Sequence, residues 1–189
     1  MSETQVFYRK WRPALFQDVV GQNHISHTLR KAIISNRIAH AYLFTGPRGV
    51  GKTSMARIVA KALNSQTTEK GEPVSDSYTA QSIEKGNYLD LIEIDGASNR
   101  GIDDIRALRD STQFKPALGQ YKIYIIDEVH MLTTPAFNAL LKTLEEPPEK
   151  VVFILCTTDS HRVPSTIISR CQRFDFRRLS TSDVVGRLV

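Results

Sequence analysis

Short continuous apolar runs alternate with longer amphipathic stretches along this chain. Five runs read as β-strands, at 41–45, 89–94, 121–126, 151–156 and, more weakly, 173–176. Between them apolar positions recur at helical spacing over 52–64, 102–113, 136–146 and 164–169, and another helical pattern at 23–35 precedes the first strand. Strands that are apolar at nearly every position belong to sheets covered on both faces, and strand–helix alternation joins parallel neighbours through crossovers. The fold class that follows is α/β, a mainly parallel five-stranded sheet flanked by helices.

Local chemistry marks several boundaries. Thr134 before Pro135 offers an N-cap hydroxyl and a first-turn proline, and Pro147-Pro148 stops the helix after Glu146. Phe137, Leu140, Leu141 and Leu144 fall on one helical face and read as core. The segment 65–86, with Gly71, Pro73 and many Ser and Thr, shows no clear period and reads as a surface insertion, held by packing or partly mobile. At the other end, 183–189 looks like the opening of a helix.

Composition narrows the class. The 189 residues suit one domain, and 41% hydrophobic with 24% charged residues is an ordinary globular balance, which excludes a disordered tail, a fibre or a disulfide scaffold. No apolar run approaches the roughly 18 to 20 residues of a membrane span, and 1–10 lacks the basic-then-apolar order of a secretory signal, so the expected location is the cytoplasm, with no membrane partner. Cys156 and Cys171 suit reduced thiols. The net charge of +5 is polarised: 161–189 carries six Arg against two Asp, whereas 65–95 carries seven acids against two Lys. A basic edge of this kind fits an anionic partner such as nucleic acid or nucleotide phosphates, or a neighbouring subunit.

The strongest chemical signal is Gly46-Pro47-Arg48-Gly49-Val50-Gly51-Lys52-Thr53, a complete G-x-x-x-x-G-K-S/T between a strand and a helix that opens with Ser54 in its first turn. Glycines let successive N–H groups turn toward one phosphate, and the helix N-terminus adds its positive end. Lys52 suits the β and γ phosphates of ATP, and the Thr53 hydroxyl suits Mg²⁺. The apolar strand at 121–126 ends in Asp127-Glu128, a metal-holding acid beside one that can orient the attacking water. Alone, that pair is an ordinary strand exit; with the loop upstream it points to nucleotide hydrolysis.

Further stretches carry a resemblance. Tyr8-Arg9-Lys10-Trp11-Arg12-Pro13, Phe16-x-x-Val19-Val20-Gly21-Gln22, His40-Ala-Tyr-Leu-Phe44, Asp127-Glu-Val-His-Met-Leu132, Asn138-Ala-Leu-Leu-Lys-Thr-Leu-Glu-Glu-Pro-Pro148 and Ser169-Arg170-Cys171 resemble the gamma/tau family of bacterial DNA polymerase III, the AAA+ ATPases of the sliding-clamp loader. The resemblance implies a P-loop AAA+ core over 1–179 and the start of a lid helix over 180–189. It implies that Tyr8, Arg12, Pro13, Val19 and Val20 surround adenine and ribose, and that Thr157 or Thr158, with Thr158 preferred, senses the γ phosphate. By the same resemblance Arg170 is an arginine finger acting on a neighbour's ATP, and Asn99, Arg100 and Lys142 face the DNA backbone. The implied partners are other loader subunits in a hetero-pentamer, the sliding clamp and primer-template DNA.

Two departures stand out. Relatives carry a four-cysteine zinc module where this chain has Ser65, Val74, Ser77 and Ala80, with no His over 65–86, so no zinc site is expected. Relatives also continue into a helical lid and collar, which the sequence lacks after Val189; the expectation is a monomeric fragment with weak nucleotide retention and little autonomous hydrolysis. Competing readings are an AAA+ DNA translocase, which shares the phosphate loop, and an inert stator subunit, which the intact Lys52-Thr53 and Asp127-Glu128 disfavour.

Overall fold

A computed structural model describes residues 12–181 together with Asp183 and Val185. Its elements are α1 (Asn23–Ile34), β1 (Ala41–Thr45), α2 (Lys52–Asn64), α3 (Tyr78–Lys85), β2 (Leu91–Asp95), α4 (Ile102–Ser111), β3 (Lys122–Asp127), α5 (Thr134–Glu145), β4 (Val151–Thr157), α6 (Ser165–Ile168) and β5 (Gln172–Asp175). Single 3-10 turns lie at Phe16–Asp18, Val129–Met131 and Ser160–Arg162. The strands form one sheet in the order β2-β3-β4-β1-β5, and each pair is parallel.

Strand alternation divides the core into two layers. Tyr42, Phe44, Ile123, Ile125, Ile154 and Cys156 point toward α1, α2 and α3, while Leu43, Tyr124, Ile126, Phe153 and Leu155 point toward α4, α5 and α6. Both faces of β1, β3 and β4 are therefore covered, which is why those segments read as unbroken apolar runs. The edge strand β5 is mostly exposed, which accounts for its weak signal.

Three expectations shift. The β2 strand starts at Leu91, because Asp90 turns inward and its carboxylate accepts the N–H groups of Ala117, Leu118 and Gly119 at 2.6, 2.7 and 2.7 Å, leaving Leu89 exposed. The cap of α5 is Thr133 rather than Thr134: its hydroxyl accepts the Ala136 N–H, and Pro135 still falls in the first turn, where its missing donor costs nothing. The 65–86 segment is ordered. Ser77 caps α3 by accepting the Ala80 N–H at 3.1 Å, Gly86 ends it in the left-handed region, and Ala80 and Ile83 bury one short face.

That insertion is also tied to the amino-terminal strap through a carboxylate. Glu72, 6% exposed, accepts the N–H groups of Phe16 and Gln17 at 2.8 and 3.2 Å and pairs with Arg30 on α1 at 3.1 Å. Of the four positions that the resemblance equates with zinc ligands, Ser65 bonds back to the Lys61 carbonyl, Ser77 caps α3, Ala80 is buried and Val74 is exposed. Past β5, Thr181, Asp183 and Val185 are helical, opened by a reciprocal bond pair between Ser180 and Asp183 at 3.0 and 3.2 Å.

Candidate functional site

The parallel register brings the carboxyl ends of four strands together, with Thr45 opposite Thr157 and Asp95 opposite Asp127. In open parallel sheets this end is where ligands bind. The 46–51 loop leaves β1 there and feeds directly into α2. All three of its glycines have positive φ: Gly46 sits at +143°, where a Cβ would also meet the Phe176 carbonyl at 2.6 Å, Gly49 at +81°, and Gly51 caps α2 at +97°. Val50 is buried and anchors the loop, while Arg48 and Gly49 are exposed.

Lys52 begins α2 and folds back over the loop, donating from Nζ to the carbonyls of Gly46 and Pro47 at 2.7 and 2.6 Å. Burial pulls its pKa below the ordinary lysine value, while Cys156, Glu128 and Asp127 pull the other way. The next residue joins the loop to the acids: Thr53 Oγ1 donates to Asp127 Oδ2 at 2.7 Å. A hydroxyl and a carboxylate at this separation, both oxygen donors, fit one face of a Mg²⁺ shell. Arg12, Pro13, Thr53, Ser54, Asp127 and Glu128 all line one cleft of about 620 Å³ above the loop.

Glu128 follows β3 with a left-handed backbone, φ +46°, an uncommon conformation for a residue with a Cβ. Its carboxylate does not point into empty cleft. Thr158 Oγ1 donates to Glu128 Oε2 at 2.9 Å, which brings the β4 exit and the β3 exit into contact. Thr157 is fully buried and turned away, its hydroxyl accepting the Asp159 N–H at 3.0 Å. Of the two threonines, it is Thr158 that reaches the acid.

The strap supplies the other wall. Val19 is buried and lies 3.4 Å from where a Cβ on Gly51 would stand; Val20 is half-buried. Gln22, fully buried, clamps the strap to the chain after β5 by donating to the Arg177 carbonyl at 2.7 Å and accepting its N–H at 3.1 Å. Tyr8 lies outside the described residues.

Other sequence candidates lie elsewhere. Arg170, at the end of α6, directs its guanidinium to the Thr166 carbonyl at 2.7 Å and to Glu145 of α5 at 2.6 Å. Asn99 donates to the Asp95 carbonyl and Arg100 to the Met131 carbonyl, both at 3.1 Å, so this loop is fastened to the start of α5. Lys142 is exposed on α5. Sequence reasoning missed Asp95, which lines the cleft beside Asp127 although its apolar-run-then-acid pattern matches that of β3. Hydrogen bonds from Ser98 and Ala97 hold the Asp95 carboxyl below the usual range.

Among the described residues no helix is long and apolar enough to cross a membrane. The family described as DNA polymerase III, delta subunit, matches residues 21–180. The chain is 55% identical over 184 residues to DNA polymerase III subunit tau of Bacillus subtilis, an alignment covering 97% of this chain and 33% of that protein. It thus spans about a third of that relative's length. Among solved structures, a DNA polymerase III gamma subunit-related protein of Thermotoga maritima superposes with a TM-score of 0.61 at 28% identity, covering 82% of this chain and 46% of the other. The RuvB Holliday junction branch migration motor of the same organism gives 0.67 at 18% identity, covering 94% and 52%, a likeness of P-loop AAA+ fold alone.

Proposed function

This chain belongs to the DNA polymerase III, delta subunit, family, and from that premise we propose that it is the ATP-binding and hydrolysing region of a clamp loader that places a sliding clamp on primed DNA. The observation that carries the reading is the contact array at the sheet's carboxyl end: Lys52 on the loop, Thr53 on Asp127, and Thr158 on Glu128. In this reading the loop N–H groups cradle the phosphates, and Lys52 exchanges its two loop carbonyls for phosphate oxygens, keeping the same charge-assisted geometry. Thr53 and Asp127 would hold Mg²⁺, which would neutralise charge on the β and γ phosphates. Glu128 orients the attacking water, and Thr158 holds the carboxylate until a γ phosphate competes for its hydroxyl.

Arg12, Pro13, Val19 and Val20 form the adenine and ribose wall, and the same contact role is proposed for Tyr8. Residues 1–179 make the ATPase core, and 180–189 open the lid. Arg170 acts on the ATP of an adjoining subunit, so turnover belongs to the assembled loader rather than to one chain, and Asn99, Arg100 and Lys142 meet DNA phosphates without reading sequence. The function is cytoplasmic and needs no structural zinc.

The test is DNA- and clamp-stimulated ATP hydrolysis by the full-length protein assembled with its loader partners. Lys52→Ala should abolish nucleotide binding. Arg170→Ala should leave binding intact and remove stimulated turnover; retention of turnover would sink the trans assignment.

A further inference from the structure

One polar side chain with no role so far is held against the proposed water-orienting acid. His130 lies in the turn directly after Glu128, its side chain only 9% exposed. Its Nδ1 is 3.0 Å from Thr157 Oγ1 and 3.4 Å from Glu128 Oε2. The same Glu128 oxygen accepts the Thr158 hydroxyl, and the same Thr157 oxygen accepts the Asp159 N–H. A single imidazole nitrogen thus bridges the exits of β3 and β4. The other ring nitrogen takes no part in these contacts.

We infer that His130 is a positioning residue: through Nδ1 it couples the Thr157–Thr158 turn to the Glu128 carboxylate. Among the described residues the side-chain partners of that carboxylate are Thr158 and His130. When a ligand draws Thr158 away, His130 is the remaining tether that keeps the carboxylate aimed, and it moves with the turn because its nitrogen also rests on Thr157. The inference rests on Glu128 acting as the water-orienting group. It assigns His130 no contact with the reacting atoms.

Geometry supplies the discriminating variants. In His130→Asn an amide atom bonded to Cγ occupies the Nδ1 position; His130→Gln carries its amide out toward Nε2; His130→Phe keeps the ring and removes both nitrogens. Each is placed in the full-length protein within the loader complex. Affinity for a fluorescent ATP analogue and stimulated turnover are then measured beside a Glu128→Gln control. Affinity should stay within about threefold throughout. Turnover should fall at least about tenfold for Phe and Gln and return to within about threefold of wild type for Asn. Wild-type turnover in His130→Phe, or equal losses in all three variants, overturns the coupling; should the Phe variant misfold, Asn against Gln decides. Normal turnover in Glu128→Gln instead refutes the underlying reading of the acid, and the inference falls with it.

Discussion

Replacing Glu72 by alanine tests how the 65–86 insertion is held in place. The carboxylate is buried and joins three things: the Phe16 N–H at 2.8 Å, the Gln17 N–H at 3.2 Å and the Arg30 guanidinium at 3.1 Å. After truncation the losses differ. Phe16 is 1% exposed, so its N–H is left without a partner or water, at about 1–3 kcal/mol. Gln17 is exposed and its N–H rehydrates at little cost. The Arg30 side chain is 27% exposed, so it recovers much of its hydration and loses about 1 kcal/mol, well short of the roughly 3–5 for a fully buried broken pair. The expected total is about 3 kcal/mol, a fall in melting temperature of about 6–12 °C for a domain of this size. Urea unfolding followed by circular dichroism measures it, with the midpoint moving at unchanged m-value. Arg30→Ala should cost only about 1 kcal/mol, because Glu72 keeps both backbone donors. A Glu72→Ala loss below about 0.5 kcal/mol, or an Arg30→Ala loss as large as that of Glu72→Ala, would refute the staple.

Asp90→Asn removes one of two oxygens that accept three N–H groups; it should cost about 2–3 kcal/mol and raise amide exchange at Ala117, Leu118 and Gly119 specifically. Gly46→Ala forces a Cβ to 2.6 Å from a carbonyl oxygen at φ +143°, so nucleotide affinity should drop at least about tenfold with a stability loss of about 1–3 kcal/mol, read by titration and thermal melts. Burial pushes the Cys171 thiol up to about 12 and raises Cys156 well above its usual value, so at pH 8 iodoacetamide should label both at least about a hundredfold more slowly in the native protein than in guanidinium; comparable rates would contradict the packing around them.

What could be read in the sequence depended on how local the signal was. The three central strands and the loop at 46–53 carry their information within a few consecutive residues, and all lie where the pattern put them. The insertion did not, because two helical turns framed by Ser77 and Gly86 are too short to establish a period, and Glu72 acquires its meaning only from Phe16, more than fifty residues upstream. The cap of α5 was misplaced by one residue because two adjacent threonines offer the same hydroxyl. For the same reason only the fold separates Thr157 from Thr158: the strand alternates sides, so one is buried and the other reaches Glu128. Asp95 ends an apolar run as Asp127 does, but only the sheet register sets the two side by side, and His130 meets Thr157 only through the turn after β3.

The most direct test of the account is a titration of the chain with Mg²⁺-ATP, wild type against Lys52→Ala, by calorimetry. The wild-type chain should bind one nucleotide, with affinity lowered when Mg²⁺ is withheld, and Lys52→Ala should show no measurable heat of binding. Equal binding by both, or binding indifferent to Mg²⁺, would contradict the claim that Lys52, Thr53 and Asp127 form the nucleotide site.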